Sequence, residues 1–166
     1  DPKTAKGVVK REVIKILTPG TAVEVDPEVA KENIYIAAVV PGRAGWGLAL
    51  IDLSSGDMTA TEREASAEKT LPDELLKSAP KEIVFPEGEE AAVEGLLAKS
   101  DLKSVLRSPA EAWVFDASQA VHTLIDHFHV ASLAGFGLEG KNLAVAAAGG
   151  LLYYLKRVRK DSLGLV

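Results

Sequence analysis

Not one cysteine occurs among the 166 residues. That excludes a disulfide framework and any thiolate metal site, and it fits a reducing, cytoplasmic compartment. A strong net charge is missing too. Nineteen Lys and Arg stand against 24 Asp and Glu, for a net charge of −5. No global field therefore draws the chain to nucleic acid or to an anionic membrane. Nor is there a long apolar run: the longest, Leu143 to Leu155, covers thirteen residues, well short of the ~20 a membrane span needs. Nothing matches G-x-x-x-x-G-K-[ST] or G-x-S-x-G, so the phosphate loop and the nucleophile elbow are absent. Opening on Asp1 rather than Met, with no secretory leader, the chain reads as a piece of a longer protein.

What is present supports a folded α/β unit. At 47% hydrophobic residues, the chain can build a substantial core. Val8 to Thr18 reads as a strand stopped by Pro19-Gly20, and the opening of the chain, residues 1–18, is locally basic through Lys3, Lys6, Lys10, Arg11 and Lys15. Residues 21–32 are acidic and irregular, as a linker is. Asn33–Val40, Trp46–Leu53 and Met58–Glu62 read as three strands joined by two short turns, an antiparallel meander. The pattern then alternates: a helix over 71–77, a strand over 82–85, a helix over 89–99, a strand over 102–106. Such alternation calls for parallel pairing through crossovers. Leu143–Leu155 reads as a buried helix, with Ala146, Gly149 and Gly150 letting a neighbour approach closely.

The clearest helix lies between those parts. Ala117, Ala120, Val121, Leu124, Ile125 and Phe128 form one apolar stripe. Asp116 and Gln119 have the spacing of a capping box. The opposite face carries Ser118, Gln119, His122, Thr123, Asp126 and His127. It is either solvated surface or a face for docking a partner protein.

Three strands followed by helix-linked strands is the element order of the ribonuclease H-like fold, a mixed sheet in an α/β domain. An active nuclease of that fold clusters carboxylates around divalent metals. Asn33–Val40 carries none. The remaining candidates are Asp52, which reads as a turn residue, with Glu82 and Glu87 bracketing a later strand. The alternative to a non-catalytic domain is therefore a metal-dependent nuclease, or a nucleic-acid-binding domain, with an atypical carboxylate set. Gly135, Gly137 and Gly140 spell G-x-G-x-x-G. They follow a helix, however, and the residues about 20 positions on are basic, against the dinucleotide pattern. They read as a hinge or as close-packing glycines. His122 and His127 are five apart and do not share a helical face, so no metal site is expected.

Several segments resemble one family. Val9-Lys10-Arg11-Glu12-Val13 running into Leu17-Thr18-Pro19-Gly20-Thr21 resembles the end of the mismatch-recognition domain of the bacterial MutS mismatch-repair family. Ile51-Asp52-Leu53-Ser54-Ser55-Gly56-Asp57 resembles the D-[IL]-S-[ST]-G turn of its connector domain. Leu133-Ala134-Gly135-Phe136-Gly137 and Ala147–Leu155 resemble the passage into its core domain. The resemblance implies a division into residues 1–20, the tail of the recognition domain; 21–132, the connector; and 133–166, a hinge at Gly135, Gly137 and Gly140 with the first core helix. It implies a ribonuclease H-like connector without nuclease activity, which relays ATP-driven motion and helps dock MutL. The docking face would include Ser118, Gln119, His122, Thr123 and Asp126. ATP and magnesium would belong to the parent protein outside this chain, and so would the mismatch-reading residues. No cofactor, catalytic residue or metal ligand is expected here, and DNA would be met through the parent.

Overall fold

A computed structural model describes residues 12–15, 34–98, 100–102 and 104–162 of the chain. The expected linker at 21–32 and most of the expected strand at 8–18 lie outside them. Four residues of that strand, Glu12–Lys15, form β1.

The meander forms as its alternation and turns dictate. β2 spans Tyr35–Pro41, β3 Gly45–Asp52 and β4 Asp57–Glu64. β2 pairs antiparallel with β3, and β3 with β4. Then come α1 at Leu71–Ser78, β5 at Glu82–Pro86, α2 at Glu90–Leu97 and β6 at Leu106–Ala110. β5 pairs parallel with β2, and β6 parallel with β5. β1 adds antiparallel to the outer edge of β4. The strand order is β1-β4-β3-β2-β5-β6. The five strands β2 to β6 follow the ribonuclease H-like order, with β3 alone among them running against its neighbours. α3 covers Ala117–Phe128, and α4 covers Asn142–Ser162.

Side chains alternate across the strands, so the sheet has two packed faces. Ala37, Val39, Trp46, Leu48, Ile83 and Phe85 meet α1 and α2 on one face. Ile36, Ala38, Ala49, Ile51, Met58 and Val84 meet α3 and α4 on the other. α4 thus shares a core with the sheet, so a domain boundary at residue 132 cuts through one packed unit. No helix among the described residues is long and apolar enough to cross a membrane.

One strand differs from expectation. The sequence pattern puts β6 over 102–106, whereas it runs from Leu106 to Ala110. Pro109 argues against a strand there. At the edge of a sheet, however, the missing N–H costs no ladder bond. Leu102 instead lies in the core beneath α2.

Candidate functional site

Metal chemistry in this fold would need converging carboxylates. Tyr35 is the partner of Asp52 and Ile36 the partner of Glu82. Neighbours on one strand point to opposite faces, so Asp52 and Glu82 lie on opposite sides of the sheet. Glu87 follows the other end of β5, ~16 Å along the strand from Glu82 at 3.3 Å per residue. The three do not converge. No group of three His, Cys, Asp or Glu among the described residues is placed to hold a metal ion.

Two of the three have structural partners. Asp52 is a turn residue: its Oδ1 accepts the Ser54 amide at 2.9 Å and the Ser54 hydroxyl at 2.5 Å. Its carbonyl accepts the Gly56 amide at 2.7 Å. Gly56 has φ 83°, where a side chain would be strained. Glu82 Oε2 accepts the Ser108 hydroxyl at 2.5 Å and the Tyr154 hydroxyl at 2.6 Å. Burial first, and then its bond to Glu82, raises the Tyr154 pKa above the usual 10.0. The carboxylate on the central parallel strand therefore ties α4 to the sheet.

α3 forms because its apolar stripe has a core to enter. Ala120 and Leu124 are fully buried, and Val121, Ile125 and Phe128 pack beside them. Asp116 occupies the cap position with extended backbone, but makes no side-chain cap hydrogen bond. The expected capping box is therefore not made. Ser118, His122 and Asp126 are exposed. Spaced four apart, they make one row along the helix. Gln119 and Thr123 are half-buried. They face each other, with the Gln119 Nε2 amide 3.4 Å from Thr123 Oγ1 and the Thr123 hydroxyl donating to the Gln119 carbonyl at 3.0 Å. The face thus divides into an open row and a row closed along the helix.

His127, on the polar face by its spacing, is also half-buried and stacks edge-on against Phe128 at 4.8 Å. Burial first, then the nearby Lys156 and His129, lower its pKa from 6.5 to about 4, while Asp126 opposes the shift. Between those two values the unfolded chain binds a proton that the folded chain refuses. Stability then rises with pH across this window. The contribution is whole above the unfolded value and falls as the pH drops towards 4. Urea midpoints at pH 4.5 and 7 should therefore differ less in His127→Gln than in the wild type.

The glycine connector has no phosphate-loop geometry. Gly135 lies in a 3-10 turn, Ala134–Phe136, which Gly137 ends at φ 73°. Gly140 turns at φ 82°. A side chain on Gly135 or Gly140 would meet nothing within 4 Å, so neither is a close-packing position.

A joint that no sequence motif announces lies just beyond. Glu62 Oε2 accepts the backbone amides of Leu143 at 2.7 Å and Ala144 at 3.2 Å. The first turn of α4 is thus capped from β4. The strand beneath it is made of small residues: Gly45, Gly47 and Ala49 share this face with Ala60. A Cβ on Gly47 would fall 2.0 Å from the Leu143 carbonyl oxygen, and one on Gly42 2.6 Å from Leu143 Cδ2. Alternation of small residues with Trp46, Leu48 and Leu50 is the sequence signal that could have exposed this seat. Nothing local marks Glu62, whose partners lie 81 and 82 residues away.

A family model described as MutS domain II matches residues 34–166. The chain is 40% identical over 162 residues to the DNA mismatch repair protein MutS of Thermodesulfovibrio yellowstonii, covering 98% of this chain and 18% of that protein. It is 40% identical over 169 residues to that of Symbiobacterium thermophilum, covering 100% and 19%. For the MutS of Lachnoclostridium phytofermentans the identity is 38% over 167 residues, covering 98% and 17%. The chain therefore spans less than a fifth of the length of these relatives.

Proposed function

The chain belongs to the MutS domain II family, and from that premise we propose that it is the non-catalytic connector of a DNA mismatch-repair protein. It relays ATP-dependent conformational change between parts of a longer polypeptide and helps dock a MutL-type protein. ATP, magnesium and mismatched DNA are handled elsewhere in that polypeptide, in the cytoplasm. The non-catalytic reading is supported by the employment of Asp52 in a turn and of Glu82 in holding α4.

The docking reading rests on one observation above the others, the exposed row Ser118, His122 and Asp126 on a helix whose other side is locked into the core. Exposed side chains on a rigid helix bind with little ordering cost. Gln119 and Thr123 contribute less, because their polar groups already face each other.

His122→Glu and Asp126→Lys are expected to weaken capture of the MutL-type protein about tenfold, or ~1.4 kcal/mol. The melting temperature should stay where it is, because both side chains are exposed. Biolayer interferometry on the immobilised chain measures the first and calorimetry the second. Wild-type capture by both variants would move the docking surface off α3. Gly135, Gly137 and Gly140 would act as the hinge only where the connector between α3 and α4 yields.

A further inference from the structure

We propose that the contact between Glu62 and the first turn of α4 fixes α4 to the sheet, so that movement of α4 carries the sheet and α3 along as one body. The inference deepens the relay reading and rests on it.

The first turn of a helix leaves backbone N–H groups without partners. A residue at the cap ordinarily supplies an oxygen, but the residue before α4 is Lys141, which has none to offer. Period-2 alternation along β4 puts Glu62 on the same face as Met58 and Ala60, directly under α4. Its carboxylate takes both the Leu143 and the Ala144 amides. A negative charge there also complements the positive end of the helix dipole. Two adjacent backbone amides converge on one carboxylate oxygen from a paired strand, which holds the Glu62 side chain in place.

The seat adds close contact to these bonds. No side chain stands between Leu143 and the strand at Gly47, and Leu143 itself fills the space over Gly42. Further along, Gly149 sits against Ala120 of α3, and Gly150 against the Phe115 ring. The Tyr154 hydroxyl reaches Glu82 on β5. α4 is thus joined to β4, β5 and α3 along its length. The connector between α3 and α4 leaves open space around Gly135 and Gly140, while Leu133 and Leu138 anchor it in the core. Displacement of the exposed end of α4, near Val158, turns the sheet and carries the α3 row with it.

The cysteine-free chain makes site-specific labels simple. Spin labels at Lys77→Cys on α1 and Val158→Cys on α4, both exposed, report how firmly α4 is held. The expected result is one narrow distance distribution, at least doubled in width by Glu62→Ala and unchanged by Gly135→Ala. Amide exchange at Leu143 and Ala144 should rise about tenfold in Glu62→Ala and severalfold in Glu62→Gln, which keeps an acceptor but loses the charge. Should Glu62→Ala fail to fold, Glu62→Gln decides through exchange alone. Unchanged width in Glu62→Ala, unchanged exchange in Glu62→Gln, or equal broadening by Gly135→Ala overturns the proposal.

A second arm separates it from the relay reading. In the full-length protein, the rate of thiol labelling at His122→Cys is read with and without ATP. A shift in the wild-type background that is lost with Glu62→Ala and partly restored by Glu62→Gln supports the coupling. A shift that survives Glu62→Ala in full overturns the coupling and leaves the relay standing. No shift in the wild-type background overturns the relay, and the coupling falls with it.

Discussion

Gly149→Val is expected to lower the stability of the domain by about 3 kcal/mol. A side chain begins with Cβ, and at Gly149 that atom would lie 2.4 Å from Ala120 Cβ, 2.6 Å from Ala120 Cα and 2.7 Å from the Ala120 carbonyl oxygen. Backbone atoms cannot swing aside as the end of a long side chain can, so α3 and α4 must separate. Separation opens voids around Leu124 and Leu151, both fully buried. Helix propensity works the other way, because Gly is ~1 kcal/mol worse than Ala in a helix interior and Val recovers part of that. The clash wins by its size. Gly95 supplies the contrast: it lies in α2, and a Cβ there would meet nothing within 4 Å. Gly95→Ala is expected to stabilise by about 0.5–1 kcal/mol. In a melting experiment the first change should lower Tm by roughly 6–12 °C and the second raise it by roughly 2 °C. Equal shifts for the two would show that α3 and α4 are not in backbone contact.

Leu124→Ala is expected to cost about 2–5 kcal/mol. Leu124 has no exposed surface and belongs to the core that α3, α4 and the sheet build together. The loss has two parts, the transfer of removed methyl groups and the cavity left behind. Collapse into that cavity is limited, since the backbone of α3 is already held against Gly149. Leu124→Met, similar in volume, should cost less than about 1.5 kcal/mol. Leu76→Ala, on α1 with 36% of its surface exposed, should stay within roughly 1 kcal/mol. Urea unfolding of the three variants gives the ranking, and a Leu124→Ala midpoint no lower than that of Leu76→Ala would refute the packing assigned to α3.

Elements that declare themselves through period are legible in the sequence. The Ala120–Leu124 stripe enters the core as its 3.6-residue spacing requires. The meander forms because turn residues at Pro41-Gly42 and Ser55-Gly56 separate runs of strand formers. Burial of Leu143–Leu155 is legible from its unbroken apolar run instead. β6 is misplaced by sequence pattern because Pro109 carries a local signal that its edge position overrides. Exposure along α3 is only half legible. Gln119 looks like surface by type, yet it is half-buried and turned to Thr123. Pairings between distant residues are illegible. Glu62 with Leu143, and Glu82 with Tyr154, join positions 81 and 72 apart, and no window of sequence contains both partners. Whether Asp52 and Glu82 meet depends on which residue of β2 each one faces, which only the sheet register decides.

The place of α4 in the chain bears on how the protein comes to be made. Ala38 and Ile51 lie against a helix that includes Ala147 and Leu151, about a hundred residues further on. A ribosome adding ~5–20 residues per second needs about 5–20 seconds to cover that distance. Through that interval β2, β3 and β4 can pair, but one apolar side of the sheet lacks α4, the longer of its two helices. Exposed apolar sheet is what chaperones bind and what aggregates when they do not. Of the two helices on this face α4 is made after α3, so a chain released before residue 142 would have paired strands with only α3 to lie over that side.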